Sequence, residues 1–227
     1  MKIREVLYQV KSMGKKVLPF YLFSFFLLSA CQQNDGKCHI EGTVNGEQYE
    51  GKRIFLVPFS GPATAETVDS IEIKDGKFEF TPDSMQIYKI LLDYHYRFGT
   101  QPLIVVAEPG DIMVTIDTIS SAVGTPQNDS LQVWKELTEK HQREYGALMR
   151  LVNANVKQND TIEAAKVKEQ AQKIHVAYKN RTRAMAANME GTILGSFLKG
   201  MFPHTYQRKM PDGTTIEIDA DTNEPVK

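Results

Sequence analysis

The sequence predicts an α+β fold, in which an antiparallel β-sandwich or open barrel of about seven to eight strands is followed by an α-helical hairpin and a short third helix. Two observations lead to this prediction. Short alternating or apolar segments, separated by turn signals, fill residues 37–118, which is typical of a sandwich or an open barrel. After Gly124-Thr125-Pro126 the apolar residues recur at helical spacing along two long segments.

The β-rich segment contains clear strand and turn patterns. CHIEGTV alternates from Cys38 onward, and the turn signal Asn45-Gly46 follows it. RIFLVPF is a short apolar run over residues 53–59. DSIEI and KFEF alternate on either side of Asp75-Gly76, and because Asp-Gly supplies the positive φ angles of a two-residue turn, we expect a β-hairpin there. The remaining strand candidates are YKILLDY, PLIVVAE and IMVTID.

Capping signals mark the starts of two long helices. Asp129 with Gln132 three residues later fits a capping box for the first helix. Asp160 with Glu163 repeats that signal for the second. Because the segment between them, NVKQND, is short, we expect the two helices to pack as an antiparallel hairpin.

The N-terminal residues have the pattern of a secretory signal. Basic residues precede VLPFYLFSFFLLSA, an uncharged run over residues 17–30. A membrane-spanning helix needs about 20 apolar residues, so this run fits a signal peptide better than a retained anchor helix, which is the alternative. Leu28-Ser29-Ala30-Cys31 resembles a bacterial lipobox, in which the cysteine is lipidated and the chain is cut just before it. The resemblance implies lipidation of Cys31.

These patterns divide the chain into segments with different roles. The segments are a lipoprotein signal peptide over 1–30, a polar tether over 31–36, a β-sandwich domain over 37–120, a helical region over 121–203 with its third helix at 192–202, and a C-terminal tail over 204–227 that either adds a hairpin arm or frays.

Composition limits the classes of partner. Without residues 1–30 the chain carries 22 basic and 27 acidic residues, a formal charge of about −5 with histidine neutral. A nucleic acid would require a basic patch, so none is expected as a partner. With Cys31 lipidated, Cys38 is the one remaining thiol, so an intramolecular disulfide is not expected. We interpret Cys38 as a packed structural thiol.

Several motifs together resemble a known family of Bacteroidetes lipoproteins, which carry a β-rich domain of unknown function N-terminal to a thioredoxin-like domain. The resemblance covers about residues 37–200 and rests on the lipobox, IEGTV, RIFLVPF, DSIEIKDGKFEF, LIVVAEPGDIMVTID and VGTPQNDSLQVW. Relatives with the second domain have a Cys-x-x-Cys redox pair, which this chain lacks. The redox activity of those relatives therefore cannot be carried over, and what the resemblance implies is an accessory, membrane-tethered domain.

The sequence contains no arrangement typical of catalysis, of metal binding or of a cofactor site. No two histidines lie four residues apart, as two zinc ligands on one helix would, and the pair His141 and Glu144 is given no metal role. Trp134 and Tyr145 lie on the apolar stripe of the first helix and are interpreted as core. We predict no catalytic residue, no metal and no cofactor, and we leave enzymatic activity open without favouring it.

One aromatic group is the candidate for a binding platform. Its residues are Tyr88, Tyr94, His95, Tyr96, Arg97 and Phe98. Tyr94, Tyr96 and Phe98 share one face of a strand, with His95 and Arg97 on the opposite face. Sandwich core is the favoured interpretation of this face, and a ligand or peptide platform is the alternative, since aromatic rings offer a large rigid contact area.

The function predicted from the sequence is that of a non-catalytic binding or interaction module, anchored in the outer membrane by lipid on Cys31 and facing either the periplasm or the cell surface. Its partner would be another envelope protein or a small ligand. The alternative is an accessory subunit that works in trans with a thioredoxin-like thiol-disulfide oxidoreductase.

Overall fold

The structure, a computed structural model, describes residues 36–92, 102–222 and 224–226. The predicted α+β class is confirmed, and eight of the described strands precede the first helix. The elements are β1 Cys38–Val44, a 3-10 turn Glu47–Tyr49, β2 Arg53–Pro58, β3 Asp69–Glu72, β4 Lys77–Phe80, β5 Ile87–Leu91, β6 Leu103–Val106, β7 Gly110–Ile116, β8 Ser121–Val123, α1 Pro126–Lys157, α2 Thr161–Asn188, α3 Ile193–Met201, β9 Thr205–Lys209 and β10 Thr215–Asp219.

Two four-stranded sheets form a sandwich that is not closed into a barrel. One sheet has the order β4-β1-β7-β8 and the other the order β3-β2-β5-β6. Alternate residues of both sheets meet in one core, where Ile40, Ile54 and Ile112 are fully buried. Among the described strands, β1 and β7 are the one parallel pair, with Ile40 opposite Ile112, and the other neighbours are antiparallel.

The turn at Asp75-Gly76 forms as predicted, but the hairpin expected around it does not. Asp75 and Gly76 have φ angles of 52° and 66°, and a single bridge joins Lys74 to Lys77. The flanking strands then separate, because β3 pairs with β2 in one sheet and β4 pairs with β1 in the other. Ile73 is fully buried at this crossing, and its side chain contributes to the core between the two sheets, where apolar burial is favourable.

The capping signals are right for α2 and wrong for α1. The carboxylate of Asp160 accepts the backbone N–H of Glu163 at 3.0 Å, as the pattern predicts. α1 instead begins at Pro126, one turn earlier than Asp129, with Thr125 as its N-cap. Proline fits the first helical position because its φ is preset and its missing N–H would have no partner there. Asp129 accepts the backbone N–H of Gly124 at 2.8 Å.

The two long helices pack against each other as the predicted hairpin, with a connection of three residues, 158–160. Val152, Ala164 and Ala171 are buried along their length. The predicted third helix is confirmed as α3. In the described part of the chain, no helix is both long enough and apolar enough to cross a membrane.

The C-terminal residues form the hairpin arm that the sequence left as one of two options. β9 and β10 pair antiparallel and stand apart from both sheets of the sandwich. Just after β10, Asp221 accepts ion pairs from Lys179 and Arg183 of α2. Arg183 also donates to the carbonyl oxygens of Phe202 at 3.0 Å and Pro203 at 2.7 Å. The arm is therefore fastened to α2.

The joint between the sandwich and the helices includes buried polar contacts. Asn128, fully buried in the first turn of α1, accepts the backbone N–H of Val106 at 2.9 Å and donates to its carbonyl at 2.8 Å. Val106 lies on the outer edge of β6, so the side-chain amide pairs with this edge as a neighbouring strand would. The hydroxyl of Thr125 accepts the second amide hydrogen at 2.8 Å.

A second buried link extends this joint to α3. The carboxylate of Glu108, 8 % exposed, accepts the backbone N–H of Gln127 at 2.7 Å and its side-chain amide at 2.8 Å. The other end of that amide accepts the N–H of Leu194 at 2.9 Å. The donors offset the cost of burying a carboxylate, and the link holds the start of α1 against the start of α3.

Replacing Asn128 by alanine should destabilise the protein by about 2–5 kcal/mol, because the N–H and the carbonyl of Val106 would stay buried without partners. Urea unfolding followed by circular dichroism measures the change. Asn153→Ala is the matched control, since Asn153 is exposed on the same helix and its loss should cost less than about 0.5 kcal/mol. Equal effects of the two substitutions would contradict the role of Asn128.

Candidate functional site

A cleft lies where α1 passes the edges of the two sheets. β6 is the last strand of one sheet and β8 the last strand of the other, and both contact α1. The cleft has a volume of about 530 Å³ and is lined by residues of β6, of the turn between β7 and β8, and of α1. Small-molecule and peptide-sized pockets commonly fall in the range of about 300–1,000 Å³.

The base of the cleft is apolar. Ile104 from β6 and Leu131 and Trp134 from α1 line it, and the last two belong to the core cluster shared by the sandwich and the helices. The indole of Trp134 packs edge-on against the ring of Phe197 in α3, with centroids 5.7 Å apart. Its Nε1–H is buried and has no acceptor among the described residues. Trp134 is thus both the core residue that the sequence predicts and part of the cleft wall.

The rim of the cleft carries charges of both signs. Asp117 accepts hydrogen bonds from the Asn45 amide at 2.9 Å and from the backbone of Thr118 at 2.6 Å, which together hold the pKa of its carboxyl below the ordinary value. Lys135 donates to the carbonyl of Ser120 and so ties α1 to the turn before β8. Glu139 and Arg143 follow on α1, one and two turns further along.

The hydroxyl groups in the cleft are engaged in local structure. Ser120 Oγ donates to the carbonyl of Asp117 at 3.0 Å. Thr138 Oγ1 lies 2.8 Å from the carbonyl of Trp134 and 2.9 Å from the hydroxyl of Tyr178. These two hydroxyls contact carbonyls or a phenol, whereas Thr118 Oγ1 donates to the carboxylate of Asp117 at 3.3 Å. The arrangement is therefore suited to binding an apolar group beside polar and charged ones.

The outer edge of β6 adds backbone groups to the cleft. In an antiparallel strand, residues alternate between bonding the neighbour and pointing their N–H and C=O away from it. Ala107 bonds β5 through Gln86, whereas Val106 points outward to Asn128. Ile104 lies two residues before Val106 in the same strand, so its N–H and C=O point in the same direction, away from β5. Ile104 also lines the cleft.

The aromatic platform is only partly within the described residues. Tyr88 is 6 % exposed and belongs to the sandwich core, with its hydroxyl 3.0 Å from the side-chain amide of Gln86. Tyr94, His95, Tyr96, Arg97 and Phe98 lie outside the described residues. The platform therefore stays a prediction. No sequence motif indicates the cleft, because its described wall combines three separate segments of the chain.

Two histidines that the sequence does not connect lie side by side in the structure. Nε2 of His141 in α1 is 3.4 Å from Nδ1 of His175 in α2. One feature of the sequence could have indicated this contact. His141 lies on the apolar stripe of α1, and that stripe faces α2. Among the described residues, no group of three or more histidine, cysteine, aspartate or glutamate side chains is placed to hold a metal ion.

The two cysteines have separate environments. Cys38 is the first residue of β1 and is completely buried with no disulfide partner. Burial raises the pKa of its thiol, and the nearby carboxylate of Glu108 raises it further, against an opposing backbone hydrogen bond from Glu108. A buried thiol with a raised pKa is a poor nucleophile. Cys31 lies outside the described residues.

Residues 38–131 match a family model. The family is described as Domain of unknown function (DUF4369). The chain thus carries a domain of unknown function that begins at the first residue of β1 and ends at Leu131, so it includes the sandwich, Asn128 and Gln127. Comparisons with curated proteins and with solved structures found no match.

In a Cys31→Ser background, the remaining thiol at Cys38 should react with a maleimide only after unfolding, because the native thiol is buried and protonated. Mass spectrometry at pH 7 should show the native protein unlabelled and the urea-unfolded protein labelled once. Lys37→Cys supplies the control, since position 37 is exposed and a thiol there should react without denaturant. Rapid native labelling of Cys38 would contradict its burial.

Proposed function

We propose that this protein is an envelope lipoprotein, anchored in the outer membrane by lipid on Cys31, and that it acts as a non-catalytic module that binds an extended peptide segment of a partner protein in the cleft. The observation that carries the proposal is the combination, at one place, of an apolar base, a rim of mixed charge and an outward-pointing strand edge.

The strand edge favours a peptide over a compact small molecule. A peptide added to a sheet edge bonds through its main chain, and alternate side chains enter pockets beside the edge. Ile104 offers its N–H and C=O, and Trp134 and Leu131 offer an apolar surface for one side chain. Glu139 and Arg143 can pair with charges of either sign on the peptide.

The anchor is supported by the sequence, where an uncharged run ends in Leu28-Ser29-Ala30-Cys31, and by the short distance from Cys31 to the fold. Only residues 32–37 separate Cys31 from the first residue of β1. A lipid-bearing Cys31 would therefore hold the sandwich close to the membrane surface, since six extended residues span at most about 20 Å. Protease accessibility on intact cells distinguishes a periplasmic face from an exterior one.

Cys31→Ser should abolish metabolic labelling of the full-length protein with a palmitate analogue. The reason is that a thiol at position 31 is the attachment point in this proposal. Cys38→Ala is the control and should keep the label. Label retained by Cys31→Ser would refute the anchor.

Peptides selected from a random 12-residue display library against the full-length protein should change the fluorescence of Trp134, the one tryptophan in the chain. Gln142→Phe, which fills the cleft from α1, should weaken their binding at least about tenfold, or about 1.4 kcal/mol. Gln172→Phe is the matched control, because Gln172 is an exposed glutamine on α2 outside the cleft.

Two results would overturn the peptide assignment. Selected peptides that bind Gln142→Phe as tightly as the wild type, without a change in Trp134 emission, would place the binding site elsewhere. Recovery of a Cys-x-x-Cys protein from membranes with both the wild type and Gln142→Phe would instead support an accessory role beside a thioredoxin-like oxidoreductase, independent of the cleft.

A further inference from the structure

The helical hairpin carries a pair of metal-ligating side chains that lies outside the cleft. His141 in α1 and His175 in α2 are half-buried, and neither lines the cleft. The two rings come together because α1 and α2 pack as a hairpin, with Nε2 of the first 3.4 Å from Nδ1 of the second. Their centroids are 5.4 Å apart, with 48° between the ring planes.

The distance between the two nitrogens matches the spacing of two ligands on one ion. Two imidazole nitrogens bound to one tetrahedral zinc ion at about 2.0–2.1 Å each lie about 3.3–3.4 Å apart. The observed distance of 3.4 Å matches this spacing, so one ion can replace the direct contact between the two rings without moving the nitrogens apart.

Aromatic neighbours fix the orientation of both imidazoles. The ring of Tyr178 stacks on His141 with centroids 4.2 Å apart and 12° between the planes. Tyr145 stacks at 5.3 Å and 20°, and Phe202 meets His175 edge-on at 6.2 Å. The hydroxyl of Tyr178 is itself held by Thr138 at 2.9 Å. Ligands held in place in this way lose little side-chain entropy when they bind an ion.

The charges around the pair permit a cation. Glu144, on the same helix, places a negative charge near His141. On α2, Lys179 pairs with Asp221, as does Arg183, so the carboxylate of Asp221 offsets these positive charges.

We infer that His141 and His175 together bind one divalent transition-metal ion, with Zn²⁺ as the ion whose bond lengths fit, and that water fills its remaining positions. Imidazole nitrogen suits Zn²⁺, Cu²⁺ and Ni²⁺ and excludes Mg²⁺ and Ca²⁺, which prefer oxygen. With two protein ligands the ion would exchange more readily than in a closed four-ligand site, and it would join α1 to α2.

Calorimetric titration of the chelator-treated, full-length protein with ZnCl₂ tests the site. The wild type and His204→Ala should each bind one Zn²⁺ per chain, since His204 is exposed beyond α3. His141→Phe and His175→Phe should lose that binding, because phenylalanine keeps a ring in the aromatic stack and removes the ligand nitrogen. Zn²⁺ should raise the Tm of the wild type and leave the Tm of both Phe variants unchanged.

A second measurement uses the unaltered protein, so it does not depend on how the variants fold. The electron paramagnetic resonance spectrum of the wild type with one equivalent of Cu²⁺ should show coupling to two nitrogens. Absence of saturable Zn²⁺ binding by the wild type, equal binding by folded His141→Phe and His175→Phe, or a copper spectrum without imidazole nitrogen would each overturn the inference. Far-UV circular dichroism establishes that the variants are folded.

Discussion

One side chain closes part of the outer edge of β6. The amide of Asn128 bonds both backbone groups of Val106, so α1 is attached to the sandwich by hydrogen bonds that have a defined direction and register. Apolar contacts alone would let the helix slide along the sheet. Because the amide satisfies only one outward-pointing residue of β6, the next one, Ile104, is left at the base of the cleft. The joint and the cleft are therefore two results of the same geometry.

Local patterns predicted the elements of the fold, and their partners depended on distant residues. Asp160 acts as the expected cap, since that interaction needs only the residues beside it. Asp129 matched the same pattern, yet Pro126 begins the helix earlier because it is better placed for the first turn. The Asp75-Gly76 turn forms, but its two strands pair in different sheets, and Ile73 is buried at the crossing. The alternation of apolar and polar residues along a strand shows which face of the strand is buried. It does not show which other strand pairs with it.

The candidate site was less predictable than the fold for the same reason. The cleft combines β6, the turn before β8 and α1, and no spacing in the sequence connects them. The contact between His141 and His175 depends on the register between two helices, 34 residues apart along the chain. The stripe of apolar residues predicts that the helices pack, and it leaves that register open within a turn or more. A search for histidines four residues apart on one helix cannot find a pair that spans two.

The parallel pairing of β1 with β7 has a consequence for how the chain folds. β1 is a central strand, with β4 on one side and β7 on the other, and its register with β7 runs from Cys38 opposite Gly110 to Val44 opposite Ile116. Closing a loop of about 70 residues costs more chain entropy than forming a local hairpin, and it is therefore slower. Until β7 has been made, β1 exposes an open edge and apolar residues that could pair with another chain. Among the described strands β1 is synthesised first, and it keeps one edge open until β7 has followed it.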